Sequence, residues 1–92
     1  MLQFKSKNYM VRQRVASYVE IMMRGYEIEH LMRVQRPLEF DFLLRGIEDQ
    51  SQDVRKQVRL CWRAYNSIDD SFKARVKELL HELKGPSKKQ LQ

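Results

Sequence analysis

Ninety-two residues, 42% of them hydrophobic and 33% charged, are enough for one modest core and too few for two. Three glycines and two prolines suit helices and argue against both a disordered chain and a turn-rich β fold. The net charge of +6 favours an anionic partner, and a longest apolar run of three residues leaves no candidate membrane span and no signal-peptide core.

In chain order, residues 1–7 form a basic lead-in, with Leu2 and Phe4 able to fold back on the first helix. Asn8 is the expected N-cap of a helix running to Arg36, without proline and with one internal glycine. Val11, Val15, Tyr18, Met22 and Tyr26 keep helical spacing, whereas Ile28, Leu31 and Met32 point more than about a quarter turn away. That divergence allows a break at Gly25, but Glu20 with Arg24 and Glu29 with Arg33 have acid-before-base spacing and favour continuity. Such a helix spans roughly 40 Å, and the remaining helices must pack along it.

Pro37 is expected to end it, because proline disfavours helical geometry at Arg36 and lacks a backbone donor. In the next segment Leu38, Phe40 and Phe42 alternate like a strand, whereas Phe40, Leu43, Leu44 and Ile47 share a helical face. With no second strand to pair with, a short helix over 39–48 is expected, with Glu39 and Asp41 near its positive end. Ser51 caps a helix over 52–66 whose core stripe is Val54, Val58, Cys61, Trp62 and Tyr65. Ser67 and Asp70 have capping-box spacing. A last helix over 69–84 buries Phe72, Val76, Leu79, Leu80 and Leu83, before a stop at Gly85 and Pro86 and a loose basic tail over 86–92. The fold class is therefore all-α: one domain, a small bundle of three or four helices built along one long N-terminal helix.

Few residues carry chemistry. His30, Cys61 and His81 lack the close spacing of a metal site, Cys61 lies in a core stripe, and Asp69 with Asp70 reads as capping. No phosphate loop, dinucleotide fingerprint or nucleophile elbow is present, so neither enzyme activity, cofactor nor small-molecule substrate is expected. Cys61 is the only cysteine, which precludes an intrachain disulfide and fits a reducing cytosol.

Charge is unevenly placed. Residues 1–19 carry Lys5, Lys7, Arg12 and Arg14 and no acid, while residues 37–53 have a local balance of −4. Lys56, Arg59 and Arg63 fall within about 60° of one another opposite the core stripe of their helix, an array that phosphates reward through counterion release. These three residues, with the arm of Lys5, Lys7, Arg12 and Arg14, form the candidate nucleic-acid face. A competing protein-interaction surface comprises Met22, Met23, Leu31 and Met32, more apolar circumference than one neighbouring helix needs, with Leu60 beside the basic face as a further contact point. That surface would serve a protein partner or a homodimer.

The stretch DVRKQVRLCWRAYNSIDDSFKARVKELL, residues 53–80, resembles the paired helices of small phage late-transcription regulators of the autolysin-regulator and sigma-like type. In that family a helix, a short turn and a second helix lead to a DNA-binding helix-turn-helix. GPSKKQLQ stands here where the recognition helices would begin. The resemblance thus implies a shortened relative, or an antagonist that binds such a regulator. The functional expectation is a small bacterial or phage regulatory protein that binds nucleic acid or a transcription complex.

Overall fold

The computed structural model describes residues 7–83, so the expectations for Leu2, Phe4 and Lys5, for the stop at Gly85 and Pro86 and for the tail lie outside the described residues. The order is α1 (Tyr9–Gly25), α2 (Ile28–Arg33), a π-helical segment (Pro37–Leu43) running directly into α3 (Leu44–Gly46), α4 (Gln52–Asn66) and α5 (Asp70–His81). The protein is an all-α bundle with a long N-terminal helix, measuring 32 × 29 × 17 Å. Helix α1 packs mainly on α4, and α4 also meets the π segment, α3 and α5.

The N-terminal helix is shorter than its sequence suggests. Asn8 caps it as expected, its side chain accepting from the Met10 N–H, but it ends at Gly25, and Tyr26 and Glu27 are both extended. A continuous helix to Arg36 would outrun the longest dimension of the molecule, and glycine is the position at which a helix is left most cheaply. The Glu20–Arg24 pair forms at 3.1 Å, whereas Glu29 and Arg33, beyond the break, form no ion pair among the described residues.

The buried face of α1 also differs from the expected stripe by about a quarter turn. Ala16, Val19 and Met23 are buried, while Tyr18 and Tyr26 are exposed. Apolar residues cover much of this helix, so periodicity alone does not choose a face. Specific contacts do. The small side chain of Ala16 lets α4 approach closely enough for the Cys61 thiol to donate to the Ala16 carbonyl at 3.1 Å. On the same side the Arg12 guanidinium grips Asp49 through Nε at 2.8 Å and Nη2 at 3.0 Å. Glu20 accepts from the Gln57 amide at 2.8 Å and ties the two helices again.

Pro37 does not end a helix; it opens the π segment from its first turn, where its missing N–H is no loss, and Arg36 before it is helical. The i to i−5 bond of this segment runs from the Leu44 N–H to the Glu39 carbonyl. Leu38, Glu39, Phe42, Leu43, Gly46 and Ile47 face inward, a pair of adjacent residues at every fourth step. Phe40, expected on the inner face, is instead exposed, with the Arg36 guanidinium 5.9 Å from its ring centroid.

Helix α4 matches its expected bounds and stripe: Val54, Val58, Cys61, Trp62 and Tyr65 are all buried, and Ser51 Oγ accepts from the Val54 N–H. Helix α5 is capped by Asp69, which accepts from the Phe72 N–H at 2.9 Å, and not by Ser67, whose hydroxyl donates back to the Arg63 carbonyl. The Asp69 cap stands in extended backbone while Ser67 is still helical, so only Asp69 can receive the first-turn amide. Phe72, Leu79 and Leu83 are buried, Val76 and Leu80 pack half-buried against them, and Tyr65 meets Phe72 edge-on with ring centroids 4.9 Å apart.

Candidate functional site

The outer surface of α4 follows from its inner one. Because the apolar stripe seats that helix against α1, the π segment and α5, the opposite face must face water, and Lys56 and Arg63 stand exposed there with Arg59 half-buried. None of the three has an ion-pair partner among the described residues. Leu60 is half-buried beside them.

The basic arm is not a unit. Lys7 and Arg14 are exposed, but Arg12 is committed to Asp49. Its hydrogen bond to that carboxylate raises the already high guanidinium pKa, outweighing partial desolvation. For Asp49, burial works to raise the carboxyl pKa. The hydrogen bonds from Arg12 and the Ser51 N–H, with the charges of Arg12 and Arg55, overcome that and hold it below the ordinary value. Arg55 in turn donates to the Asp49 and Gln50 carbonyls, at 2.6 and 3.1 Å. The cluster locks the α3 to α4 turn onto α1.

The apolar candidates also separate. Met23 and Leu31 are buried and belong to the core, Met22 is half-buried, and Met32 is exposed. The shorter helices account for the change, because the break after Gly25 turns Leu31 inward. Other large apolar side chains lie on the outside, notably Tyr18 and Ile21 on α1 and Tyr26, Ile28 and Val34 beyond it.

One constellation left only a faint trace in the sequence. Glu39, on the π segment, is 1% exposed. Its carboxylate accepts from the Tyr65 hydroxyl at 2.6 Å and from Arg75 Nε and Nη2 at 3.1 and 2.6 Å. Arg75 also pairs with Glu78 on the surface. Burial raises the Tyr65 phenol pKa, and donation to the carboxylate raises it further; the Arg75 pKa is raised chiefly by its hydrogen bonds to Glu39. Three segments separated in sequence meet here, and every lone pair in use is satisfied by a neighbour. The arrangement clamps the π segment to α4 and α5. A glutamate beside leucine and phenylalanine, with an arginine on the margin of the α5 apolar stripe, was the only hint in the residue pattern.

Among the described residues the remaining reactive groups are isolated. Burial pushes the Cys61 thiol up to about 12, and the neighbouring Glu20 carboxylate adds to the rise. His30 and His81 are both exposed, with His30 edge-on to Tyr26. Among the described residues no group of three or more His, Cys, Asp or Glu side chains is placed to hold a metal ion, and no helix is long and apolar enough to cross a membrane. Comparison with protein-family models, curated proteins and solved structures finds no match to this chain.

Proposed function

We propose that this chain is a small non-enzymatic regulatory protein, bacterial or phage, that binds nucleic acid or a transcription complex through the outer face of α4. The observation that carries the reading is the set Lys56, Arg59 and Arg63, side by side on one helix face without neutralising partners among the described residues. Phosphates release counterions when they meet such an array, so the face has electrostatic work to do. A rigid backing matters too, and the buried Val58, Trp62 and Tyr65 supply it. Lys7 and Arg14 are exposed on another side of the molecule and are not needed for this contact, whereas Arg12 keeps its role in the fold. The resemblance of residues 53–80 to phage late-transcription regulators supports the transcription-complex half of this reading and not direct reading of a promoter.

Titration of the purified protein with duplex DNA and with structured RNA across a salt series tests it. Three engaged phosphates on duplex DNA give a log–log slope of about −3. Arg59→Glu with Arg63→Glu abolishes binding while leaving stability within about 0.5 kcal/mol. Binding that ignores both salt and the charge reversal refutes the reading.

A further inference from the structure

The exposed arc of α4 is narrow and walled on both flanks. Gln52, Lys56 and Arg63 fall within about 40° of one another and are exposed, while Arg59 and Leu60, at the two borders of the arc, are half-buried. About 60° beyond Leu60, Gln57 reaches Glu20 of α1. About 60° beyond Arg59, Trp62 donates to the Leu43 carbonyl where the π segment meets α3. The cations of α4 therefore form a flush strip between neighbouring segments and not a projecting ridge. From this geometry we infer that α4 lies on the outside of duplex DNA and binds the phosphates bordering a groove without entering it, so that the contact is indifferent to base sequence. The inference rests on the reading of α4 as a nucleic-acid face, and names the form of nucleic acid and the part of it that is touched.

Three observations select that partner. Access is the first. An α-helix with its side chains is about 10–12 Å across and the major groove of B-DNA about 12 Å wide, so a helix settles into the groove only when nothing stands beside it. Helix α4 has α1 on one side and the π segment with α3 on the other, and these meet the banks of a groove before α4 can sink between them.

The second is the lack of a stacking platform. Proteins that take single strands hold unpaired bases on aromatic rings. The aromatic side chains of α4, Trp62 and Tyr65, are buried, and the exposed ones, Tyr9, Tyr18, Tyr26 and Phe40, belong to other segments. Of these, Phe40 is covered by the Arg36 guanidinium and Tyr26 stands edge-on to His30. The third is the row itself. Lys56, Arg59 and Arg63 rise along a straight helix by steps of about 4.5 and 6 Å, a stiff line of charge suited to the stiff line of phosphates on a duplex strand. Asp53, the one acid of α4, lies outside the strip on the Leu60 side. Gln52 is the only uncharged polar member of the exposed arc, so the strip meets phosphates better than it meets the 2′-hydroxyls in the shallow minor groove of RNA.

Fluorescence anisotropy of labelled DNA with the intact protein tests the inference. Two short duplexes of unrelated sequence are expected to bind within about threefold of each other, as is a third whose major groove is filled by bulky substituents at pyrimidine C5. Each duplex is expected to bind about fourfold more tightly than its separated strands at 0.1 M salt, the factor given by log–log slopes of about −2.7 and −2.1 for three phosphates on double and single strands. Arg63→Gln, at an exposed position, is expected to make the duplex slope shallower by about 0.9 with helix content unchanged by circular dichroism. A larger preference for one sequence, loss of binding to the filled groove, or tighter binding of single-stranded DNA or of an RNA duplex would overturn the inference while leaving α4 a nucleic-acid face. Absence of affinity for every one of these probes removes that reading and the inference together.

Discussion

Replacing Arg75 with methionine removes the cation that grips the Glu39 carboxylate from two sides while keeping most of the apolar stem that packs beneath it. The size of the effect follows from which partner is more deeply buried. The Glu39 side chain is 2% exposed, whereas that of Arg75 is 34% exposed. Losing Arg75 therefore strands a carboxylate that water cannot reach, with only the Tyr65 hydroxyl left to it. Breaking a buried pair from that side costs about 3–5 kcal/mol. Partial access of water through the vacated arginine position puts the expected loss near the lower end, about 3 kcal/mol. The converse change is milder. Glu39→Gln retains acceptors for Tyr65, and the partly exposed guanidinium regains water, so about 1–2 kcal/mol is expected. For 92 residues the whole stability is about 5–14 kcal/mol, so the difference between the two variants is readily measured. The triple change Glu39→Leu, Tyr65→Phe and Arg75→Met, which leaves no polar group stranded, is expected to lie within about 1 kcal/mol of the native protein. Urea unfolding followed by far-ultraviolet circular dichroism supplies the midpoints, compared at constant slope. An Arg75→Met cost below about 1 kcal/mol, or one smaller than that of Glu39→Gln, would refute the claim that burial of the carboxylate decides the outcome.

Asp49 and Cys61 give two further expected outcomes. Asp49→Asn is expected to cost about 1–3 kcal/mol at neutral pH, because two charge-assisted bonds from Arg12 are lost. The folded-state pKa of Asp49 is depressed, so its contribution is complete above the ordinary value of 3.8 and disappears as pH falls through the lower folded value. The native and Asp49→Asn unfolding midpoints should therefore converge in acid below that value, and a gap that persists there would contradict the assignment. For Cys61, whose thiol is buried and pushed up to about 12, alkylation of the native protein at neutral pH should proceed only at the rate of opening and should accelerate in step with urea. Rapid labelling without denaturant would contradict it.

The contrast between α4 and α1 shows what a sequence of this kind makes legible. In α4 the apolar residues occupy one arc and the charges another, so Val54, Val58, Cys61, Trp62 and Tyr65 could be placed in the core and Lys56, Arg59 and Arg63 outside it before any fold was known. Helix α1 is apolar over too much of its circumference for that logic. Its orientation is decided by the closeness Ala16 permits and by the Arg12–Asp49 grip, both of which depend on residues far along the chain. The π segment is a similar case, because its alternating and helical patterns overlap and the deciding partners, Tyr65 and Arg75, lie 26 and 36 residues away. Capping was readable where the side chain reaches its own first turn, as at Asn8 and Ser51, and misplaced at Ser67, where backbone conformation excludes it.

The indole of Trp62 donates to the Leu43 carbonyl at 3.1 Å, at the seam where the π segment becomes α3. It is the chain's one tryptophan. Nature has thus left a fluorophore at the joint that the surrounding polar clamp holds shut, and its emission wavelength registers whether that joint is dry. Any loosening of residues 37–46 from the body of the protein becomes visible as an optical signal of its own, separable from the loss of helix that accompanies global unfolding.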